Sequence, residues 1–318
     1  MTSSVGALER NTLVASTVDF SGLWIPLVTP FRDDAVDHPA LATLVKHLAP
    51  KGVAGFVVCG STSEAAALSE AEQLDVLETV RRNASELPLI MGVSGYHLPK
   101  TVAWVEALAH ESLAGVLVSA PCYIRPSQAG LVHWFEAIAQ ASAVPLVVYD
   151  IPYRTGAVLL RETLLRLAAH PNIAAVKDCG GDPAKTAAVL ADTRLQVLSG
   201  EDLQIFSAVA QGGAGAIAAS AHVHTERFAA VIKLLTRGDL ASARALWSGL
   251  PELVEALFAE PNPGPVKALL AHQGLMHKQL RRPMIEASAE LLDRLVRLHD
   301  EMGRPTADQS LAAVQQRA

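Results

Sequence analysis

One strand–turn–helix unit can be read in residues 173–181, IAAVKDCGG, which are followed by a helix-length segment from Asp182 to Asp192. The apolar run predicts a buried strand, Lys177 ends that strand, and the paired glycines predict a turn. The same order of apolar run, turn and amphipathic segment recurs along the chain. The predicted strands are Trp24 to Val28, Gly55 to Cys59, Leu89 to Val93, Val116 to Ser119, Leu146 to Tyr149, Ile173 to Lys177, Gln196 to Ser199 and Ala214 to Ala218.

Strands covered on both faces are apolar throughout, and eight of them in strand–helix order are typical of a closed (β/α)8 TIM barrel. The sequence therefore predicts an α/β fold with residues 21–224 as the barrel. Residues 1–20 are predicted to form an N-terminal extension and residues 225–318 a helical region packed on the barrel, wholly helical from Thr225 to Gly303. A doubly wound sheet is the alternative, although it usually has fewer strands and a second domain.

Composition excludes several classes of partner. The chain has 318 residues, half of them hydrophobic, and a net charge of -6 with both signs of charge interspersed, which argues against nucleic-acid and membrane-surface binding. The sequence shows neither a signal peptide nor a membrane-spanning run. Cys59, Cys122 and Cys179 include no closely spaced pair of the kind that binds zinc. A cytoplasmic protein without a metal site is predicted.

Active sites of (β/α)8 barrels lie at the carboxyl ends of the strands, so the polar residues at those ends are the candidates for chemistry. These residues should meet at one end of the barrel. They are Gly60 to Glu64 after the second strand, Pro121 to Tyr123 after the fourth, Tyr149 to Gly156 at the fifth, Lys177 at the sixth, and Gly200 to Asp202 after the seventh.

Lys177 is the candidate nucleophile. An amine at a buried strand end loses hydration, which favours the neutral form that attacks a carbonyl and forms a Schiff base. Each step of such chemistry moves a proton, and Tyr149 on the neighbouring strand can carry it, with Ser61 and Tyr123 extending the path to solvent. The alternatives are a Lys177 that reaches into solvent and an interior Tyr149 ring whose hydroxyl is bound by backbone.

Two groups of residues suit carboxylates. Arg154, in the turn after the fifth strand, can bind a carboxylate through two parallel hydrogen bonds, and the alternative is a rim arginine paired with a surface acid. The hydroxyls and backbone amides from Ser61 to Ser63 can bind a second carboxylate in a small nest, and the alternative is a plain strand-to-helix turn.

Three longer motifs carry a family resemblance. They are residues 24–31 (WIPLVTPF), 125–131 (RPSQAGL) and 260–267 (EPNPGPVK). In these motifs and the residues above, the chain resembles the dihydrodipicolinate synthase and N-acetylneuraminate lyase family of Schiff-base aldolases from about Gly22 to Met284. Several long motifs in the right order are highly specific for the family and much less specific for one substrate.

The resemblance implies roles for the candidate catalytic residues. Lys177 resembles the lysine that forms the imine with pyruvate, and Tyr149 resembles the tyrosine that relays protons to it. Ser61 stands where the synthases usually have a relay threonine. Tyr123 resembles the tyrosine that reaches into the neighbouring subunit's site, which implies a homo-oligomer, a tetramer built as a dimer of dimers.

The resemblance also implies a substrate-binding set. Thr62 matches the residue that binds the pyruvate carboxylate, and Ile217 matches the residue whose backbone lies against pyruvate. Arg154 resembles the arginine that holds the carboxylate of aspartate semialdehyde, which favours the synthase branch. Gly200 and Ser63 complete the predicted set, although Ser63 replaces the family's usual glycine, just as Cys122 replaces a tyrosine.

The implied function is that of a lyase in lysine biosynthesis, which condenses pyruvate with aspartate 4-semialdehyde and needs no cofactor beyond its own lysine imine. One alternative is an aldolase or dehydratase that acts on a sugar acid or hydroxylated 2-keto acid through the same imine. The other is a non-catalytic binding barrel. The presence of both Lys177 and Tyr149 argues against a pure binding protein, because such a protein has no need of a buried amine.

Overall fold

Eight parallel strands close into one barrel in a computed structural model of the protein, which describes residues 18–303. Each strand pairs with the next along the chain and the last pairs with the first, so the predicted barrel is confirmed and a doubly wound sheet is excluded. Residues 1–17 of the predicted N-terminal extension, and residues 304–318, lie outside the described residues. The barrel strands are β1 (Gly22–Pro26), β2 (Gly55–Val58), β3 (Leu89–Val93), β4 (Gly115–Ser119), β5 (Leu146–Asp150), β6 (Ile173–Asp178), β7 (Gln196–Ser199) and β8 (Gly215–Ile217).

Helices surround the barrel, and several begin at the polar residues that the sequence places there. Ser69 caps its helix by accepting a hydrogen bond from the backbone N–H of Glu72, whose side chain binds back to Ser69. None of the helices within residues 18–303 has the length and apolar character needed to cross a membrane. The helices are α1 (His38–Leu48), α2 (Glu70–Asn83), α3 (Leu98–Ala107), α4 (Gln128–Ala141), α5 (Pro152–Thr155), α6 (Arg161–Leu167), α7 (Pro183–Asp192), α8 (Ile205–Ala210), α9 (Thr225–Thr236), α10 (Leu240–Trp247), α11 (Leu250–Leu257), α12 (Gly264–His272) and α13 (Ala289–Gly303).

The strands separate two apolar layers, because successive side chains of a strand point to opposite faces. The outer layer packs between strands and helices, and the inner layer fills the barrel with residues that include Trp24, Leu117 and Ile217. Phe20 closes the amino-terminal end of this inner layer, where its carbonyl accepts a hydrogen bond from the Trp24 indole at 2.7 Å. The amino-terminal end of the barrel interior is therefore filled by apolar side chains.

The region after β8 differs from its predicted form. Helix α9 packs on α8 and β1 and so completes the eighth strand–helix unit, after the predicted boundary at residue 224. The prediction of unbroken helix from Thr225 to Gly303 is wrong, because residues 273–288 form no helix. Gly274 adopts a left-handed conformation directly after α12, and Pro283 has no backbone N–H for a helical hydrogen bond. This segment instead lies near the carboxyl ends of the strands.

Candidate active site

Tyr149 and Lys177 are paired in register on the neighbouring strands β5 and β6. Their side chains are 7% and 5% exposed, and the Lys177 ammonium donates a hydrogen bond to the Tyr149 hydroxyl at 3.3 Å. Lys177 Nζ also lies 4.3 Å from the centre of the Tyr149 ring. Lys177 therefore does not reach into solvent, and the Tyr149 hydroxyl meets an amine rather than backbone.

A second hydroxyl approaches Tyr149 from the loop after β2. The Ser61 Oγ lies 3.5 Å from the Tyr149 hydroxyl oxygen. The Tyr149 hydroxyl therefore contacts both the Lys177 amine and the Ser61 hydroxyl. Burial raises the pKa of Tyr149 well above its ordinary value, and Cys179 acts in the same direction, while Ser61 opposes the shift. The phenol is therefore protonated at neutral pH and must receive one proton as it gives another.

Two further residues of the loop after β2, Thr62 and Ser63, make different contacts. Thr62 contacts a distant segment, and Ser63 supports the loop itself. Thr62 Oγ1 accepts a hydrogen bond at 3.0 Å from the side-chain amide of Asn262, and a hydroxyl that accepts in this way can still donate. Ser63 donates its backbone N–H to the Gly60 carbonyl and its hydroxyl to the Leu27 carbonyl. Both donors of Ser63, predicted to bind substrate, are thus engaged within the chain.

Glu64 anchors this loop to the C-terminal region. Its backbone is left-handed, with a φ of 56°, and its buried carboxylate accepts from Lys267 Nζ at 2.7 Å and from the Arg281 backbone N–H at 3.0 Å. Sequence reasoning placed Glu64 among the polar residues at the strand ends without giving it a role, and it gave Asn262 and Lys267 no place in the site. The motif at residues 260–267 was the available signal, because it places an amide and a lysine in a proline-rich run that begins with Glu260.

Gly200 and Ile217 line the space around Lys177 from the strands beyond it. A β-carbon at position 200 would lie 2.7 Å from Lys177 Cε and 2.5 Å from Cys179 Sγ, so only glycine lets the Lys177 side chain pass. Ile217 ends β8, is fully buried, and belongs to the same inner layer as Tyr149. Both predicted residues therefore lie on the Lys177 side of the site.

Arg154 lies on the short helix α5, just after β5. Its guanidinium carbon is 5.8 Å from the centre of the Tyr153 ring, and no acidic side chain within residues 18–303 forms an ion pair with it. The alternative of a rim arginine held by a surface acid is therefore not what the structure has. Arg154 faces a cavity, and Tyr153, 65% exposed, lies outside the residues that line it.

A cavity of about 460 Å³ opens beside Tyr149 at the carboxyl ends of the strands. Lys177 lies behind Tyr149 and is not part of the lining. Most of the wall is apolar, and its far side comes from the segment between α12 and α13. The lining residues include Ser61, Ala65 to Ala67, Leu117, Ser119, Cys122, Tyr149, Ile151, Arg154, Asn262 and Arg281 to Met284.

Tyr123 is not brought to the site of its own chain. Its side chain is 91% exposed and its backbone is left-handed, with a φ of 73°. Cys122, its neighbour, does line the cavity. Within residues 18–303 no three His, Cys, Asp or Glu side chains lie close enough to hold a metal ion.

Comparisons with known proteins agree on one family. The model of the dihydrodipicolinate synthetase family matches residues 19–301. The chain is 36% identical over 278 residues to 4-hydroxy-tetrahydrodipicolinate synthase 2 of Clostridium acetobutylicum, covering 86% of this chain and 97% of that protein. It is 39% identical over 278 residues to 4-hydroxy-tetrahydrodipicolinate synthase of Sorangium cellulosum, covering 86% of this chain and 92% of that protein.

A solved structure gives the same result. The chloride-inhibited dihydrodipicolinate synthase of Acinetobacter baumannii, crystallised with pyruvate, superposes with a TM-score of 0.86 at 30% identity. The match covers 89% of this chain and 98% of that protein. The similarity therefore extends over the whole barrel and the helices that follow it.

Proposed function

The chain belongs to the dihydrodipicolinate synthetase family, and we propose that it condenses pyruvate with aspartate 4-semialdehyde through an imine on Lys177. It is a lyase of the class I aldolase type, like its relatives. The observation that carries the proposal is the 3.3 Å contact between the Lys177 amine and the Tyr149 hydroxyl, buried beside a cavity at the carboxyl ends of the strands. Amine and proton carrier lie together where barrel enzymes react.

The first half of the reaction activates pyruvate. The Lys177 nitrogen attacks the ketone carbon, and loss of water from the resulting carbinolamine gives an imine. Loss of a proton from the methyl group then gives an enamine, whose methylene carbon is a nucleophile. Tyr149 supplies and recovers the protons, and Ser61 hands them on, because the phenol contacts both the amine and the serine hydroxyl. The covalent imine withdraws electrons, so no added cofactor is needed.

The carboxylate of pyruvate needs its own donors, and Thr62 is the group we assign to it. Asn262 orients the Thr62 hydroxyl by donating to its oxygen, which leaves the hydroxyl proton for the substrate. Ile217 and Gly200 bound the same space from β8 and from the turn after β7. The Acinetobacter baumannii relative crystallised with pyruvate supports pyruvate as the first substrate here.

The second half joins the enamine to the aldehyde. The enamine carbon attacks the aldehyde carbon, and the aldehyde oxygen takes a proton. The acceptor's ammonium then loses a proton, and the resulting amine attacks the imine carbon and displaces Lys177 as the free amine while the ring closes. Arg154 lines the cavity without an acidic partner in the described part of the chain, so its guanidinium suits the acceptor carboxylate. Acceptor and pyruvate thus use separate anion sites.

We assign Tyr123 to the site of a neighbouring subunit in a tetramer built as a dimer of dimers, because Tyr123 is exposed in its own chain and does not line the cavity there. Mixing inactive Lys177→Ala subunits with inactive Tyr123→Phe subunits should restore part of the activity, since one site of each mixed pair is intact. If mixed oligomers form and remain inactive, Tyr123 acts in the site of its own chain.

Borohydride reduction in the presence of pyruvate tests the proposed function. One reduced pyruvate should be found on the peptide that contains Lys177, and the enzyme should then turn over aspartate 4-semialdehyde with pyruvate. A panel of hydroxylated aldehydes serves as the comparison. Faster turnover of a hydroxylated aldehyde than of aspartate 4-semialdehyde would assign the enzyme to the sugar-acid branch instead.

A further inference from the structure

Ser119 ends β4 at the same level as the two reacting side chains. It is paired in register with Tyr149, which is itself paired with Lys177, so three consecutive strands carry Ser119, Tyr149 and Lys177 in one row. Residues paired in this way point to the same face of a sheet. Ser119 therefore points into the barrel, on the opposite side of Tyr149 from Lys177.

The Ser119 hydroxyl is the unexplained group in this row. The residue is only 6% exposed, and its Oγ has no hydrogen-bond partner in the part of the chain that the structure describes. Its backbone carbonyl, in contrast, accepts from the indole N–H of Trp134 at 3.0 Å. A buried hydroxyl without a partner lowers stability, and each such group in a protein calls for an explanation, of which a bound ligand is one.

The surroundings of Ser119 indicate what the hydroxyl can meet. Ser119 lines the cavity together with Arg154 and Tyr149, and the neighbouring walls at Leu117 and Ile151 are apolar. Because its hydroxyl gives up no hydrogen bond when χ1 changes, a rotation between staggered positions turns it toward a ligand. Ser119 has the one polar side chain of β4, and it lines the cavity that an acceptor would enter.

We propose that Ser119 accepts a hydrogen bond from the 2-amino group of the acceptor aldehyde and so selects for an amino-bearing acceptor. This inference rests on the proposed condensation with aspartate 4-semialdehyde. The acceptor carboxylate is held at Arg154, and the aldehyde carbon must reach the enamine on Lys177. The acceptor carbon next to the carboxylate, which bears the ammonium, then passes beside the row at Ser119, and no other side chain of β4 offers an oxygen.

Two acceptors that differ in one group test the proposal. Succinate semialdehyde has the carbon chain and carboxylate of aspartate 4-semialdehyde and lacks the 2-amino group, so its adduct leaves Lys177 by hydrolysis of the imine with water instead of by ring closure. In Ser119→Ala, kcat/KM for aspartate 4-semialdehyde should fall about 10- to 100-fold, the usual range for a hydrogen bond to a charged group. The value for succinate semialdehyde should stay within a factor of about 2, and borohydride trapping of pyruvate should be unchanged.

Thermal unfolding separates this role from a structural one. Ser119→Ala removes a hydroxyl without a protein partner, so its melting temperature should not fall. The control is Ser199→Ala at the end of β7, which removes a hydroxyl that donates to the Glu201 carbonyl at 3.0 Å and should lower the melting temperature.

Each failure has a distinct signature. An equal loss for both aldehydes, no loss for either, or a lowered melting temperature in Ser119→Ala would overturn the assignment of Ser119 while leaving the condensation intact. A wild-type enzyme that traps no pyruvate, or that makes no product from aspartate 4-semialdehyde, would overturn the proposed function and the assignment of Ser119 with it.

Discussion

Three lysines are buried at the carboxyl end of the barrel, and two of them, Lys267 and Lys177, differ most in the groups that their side chains contact. The third, Lys185, donates to the Asp150 carboxylate. Lys267, fully buried, donates to the Glu64 carboxylate at 2.7 Å and the Thr29 carbonyl at 2.8 Å. Lys177 donates to the Tyr149 phenol. Burial lowers the pKa of Lys267 to about 8, with Glu64 opposing the shift, so this amine still carries its charge at neutral pH.

The difference shows that burial alone does not identify a nucleophilic lysine. Lys267 is the more deeply buried of the two, yet a carboxylate and a carbonyl hold it in place, and it also lies 4.4 Å from the centre of the Phe31 ring. Such a lysine supports a loop. Lys177 instead has a phenol for a partner and a cavity beyond it, and this is the arrangement on which the proposed imine chemistry depends.

Lys177→Ala should have the largest effect. Turnover should fall about 10⁴-fold or more, because loss of the nucleophile removes the covalent route. Borohydride trapping followed by peptide mapping should label Lys177 in the wild type and no residue in the variant. Label on Lys267 would break the comparison, since it would show that an ion-paired lysine can react.

Lys267→Met should act on stability. Breaking a buried ion pair leaves the Glu64 carboxylate without its main partner, at a cost of about 3–5 kcal/mol in the free energy of unfolding. Urea denaturation measures the loss. The matched control is the double variant Lys267→Met with Glu64→Gln, which removes both charges and should recover much of the stability. A stable single variant would show that Lys267 does not hold the loop.

Tyr149→Phe sharpens the comparison by removing the partner that distinguishes Lys177. Turnover should fall about 100-fold or more, the usual effect of losing a positioned acid or base, while the fold is retained. Ser61→Ala should lose less, because water can replace a relay hydroxyl. Steady-state kinetics at saturating pyruvate measures both. Near-normal turnover in Tyr149→Phe would show that the Tyr149 hydroxyl does not relay protons.

Arg154→Ala should have the smallest effect of the four. Loss of one charge-assisted contact costs about 1.5–3 kcal/mol, so kcat/KM for the aldehyde should fall about 10- to 100-fold. Pyruvate trapping on Lys177 should be kept, because the two substrates use different anion sites. Arg161→Ala serves as the control, since this exposed arginine pairs with Asp192. If trapping is lost in Arg154→Ala, the arginine serves pyruvate or the fold.

Sequence patterns predicted the barrel and the buried pair of Tyr149 and Lys177 because both depend on local signals. An apolar run ending in a polar residue marks a strand end, and the barrel topology brings those ends together, so Tyr149 and Lys177 were predicted correctly as neighbours. The position of Arg154 at the cavity follows from the same rule. Ser119 also ends a predicted strand, but an uncharged hydroxyl at a strand end carries no signal of its own.

Contacts between distant segments were not predictable in this way. Asn262 and Thr62 are 200 residues apart, and no periodicity or spacing connects them. The course of residues 273–288 was missed because the helical signals on either side were extended across it, although Gly274 and Pro283 interrupt the pattern. Whether Ser63 faced a ligand also depended on tertiary contacts, since its hydroxyl is bound by the Leu27 carbonyl.

The tie between Glu64 and Lys267 has a consequence for the newly synthesised chain. The two residues are 203 positions apart. A chain that has left the ribosome only as far as β8 already contains Lys177 and Tyr149. It still lacks Lys267, the lysine that supports the loop after β2. Contacts of such long sequence separation form late in folding. Enzyme activity should therefore begin only after the C-terminal helices have left the ribosome, because Lys267 on α12 is needed to hold Glu64 in place.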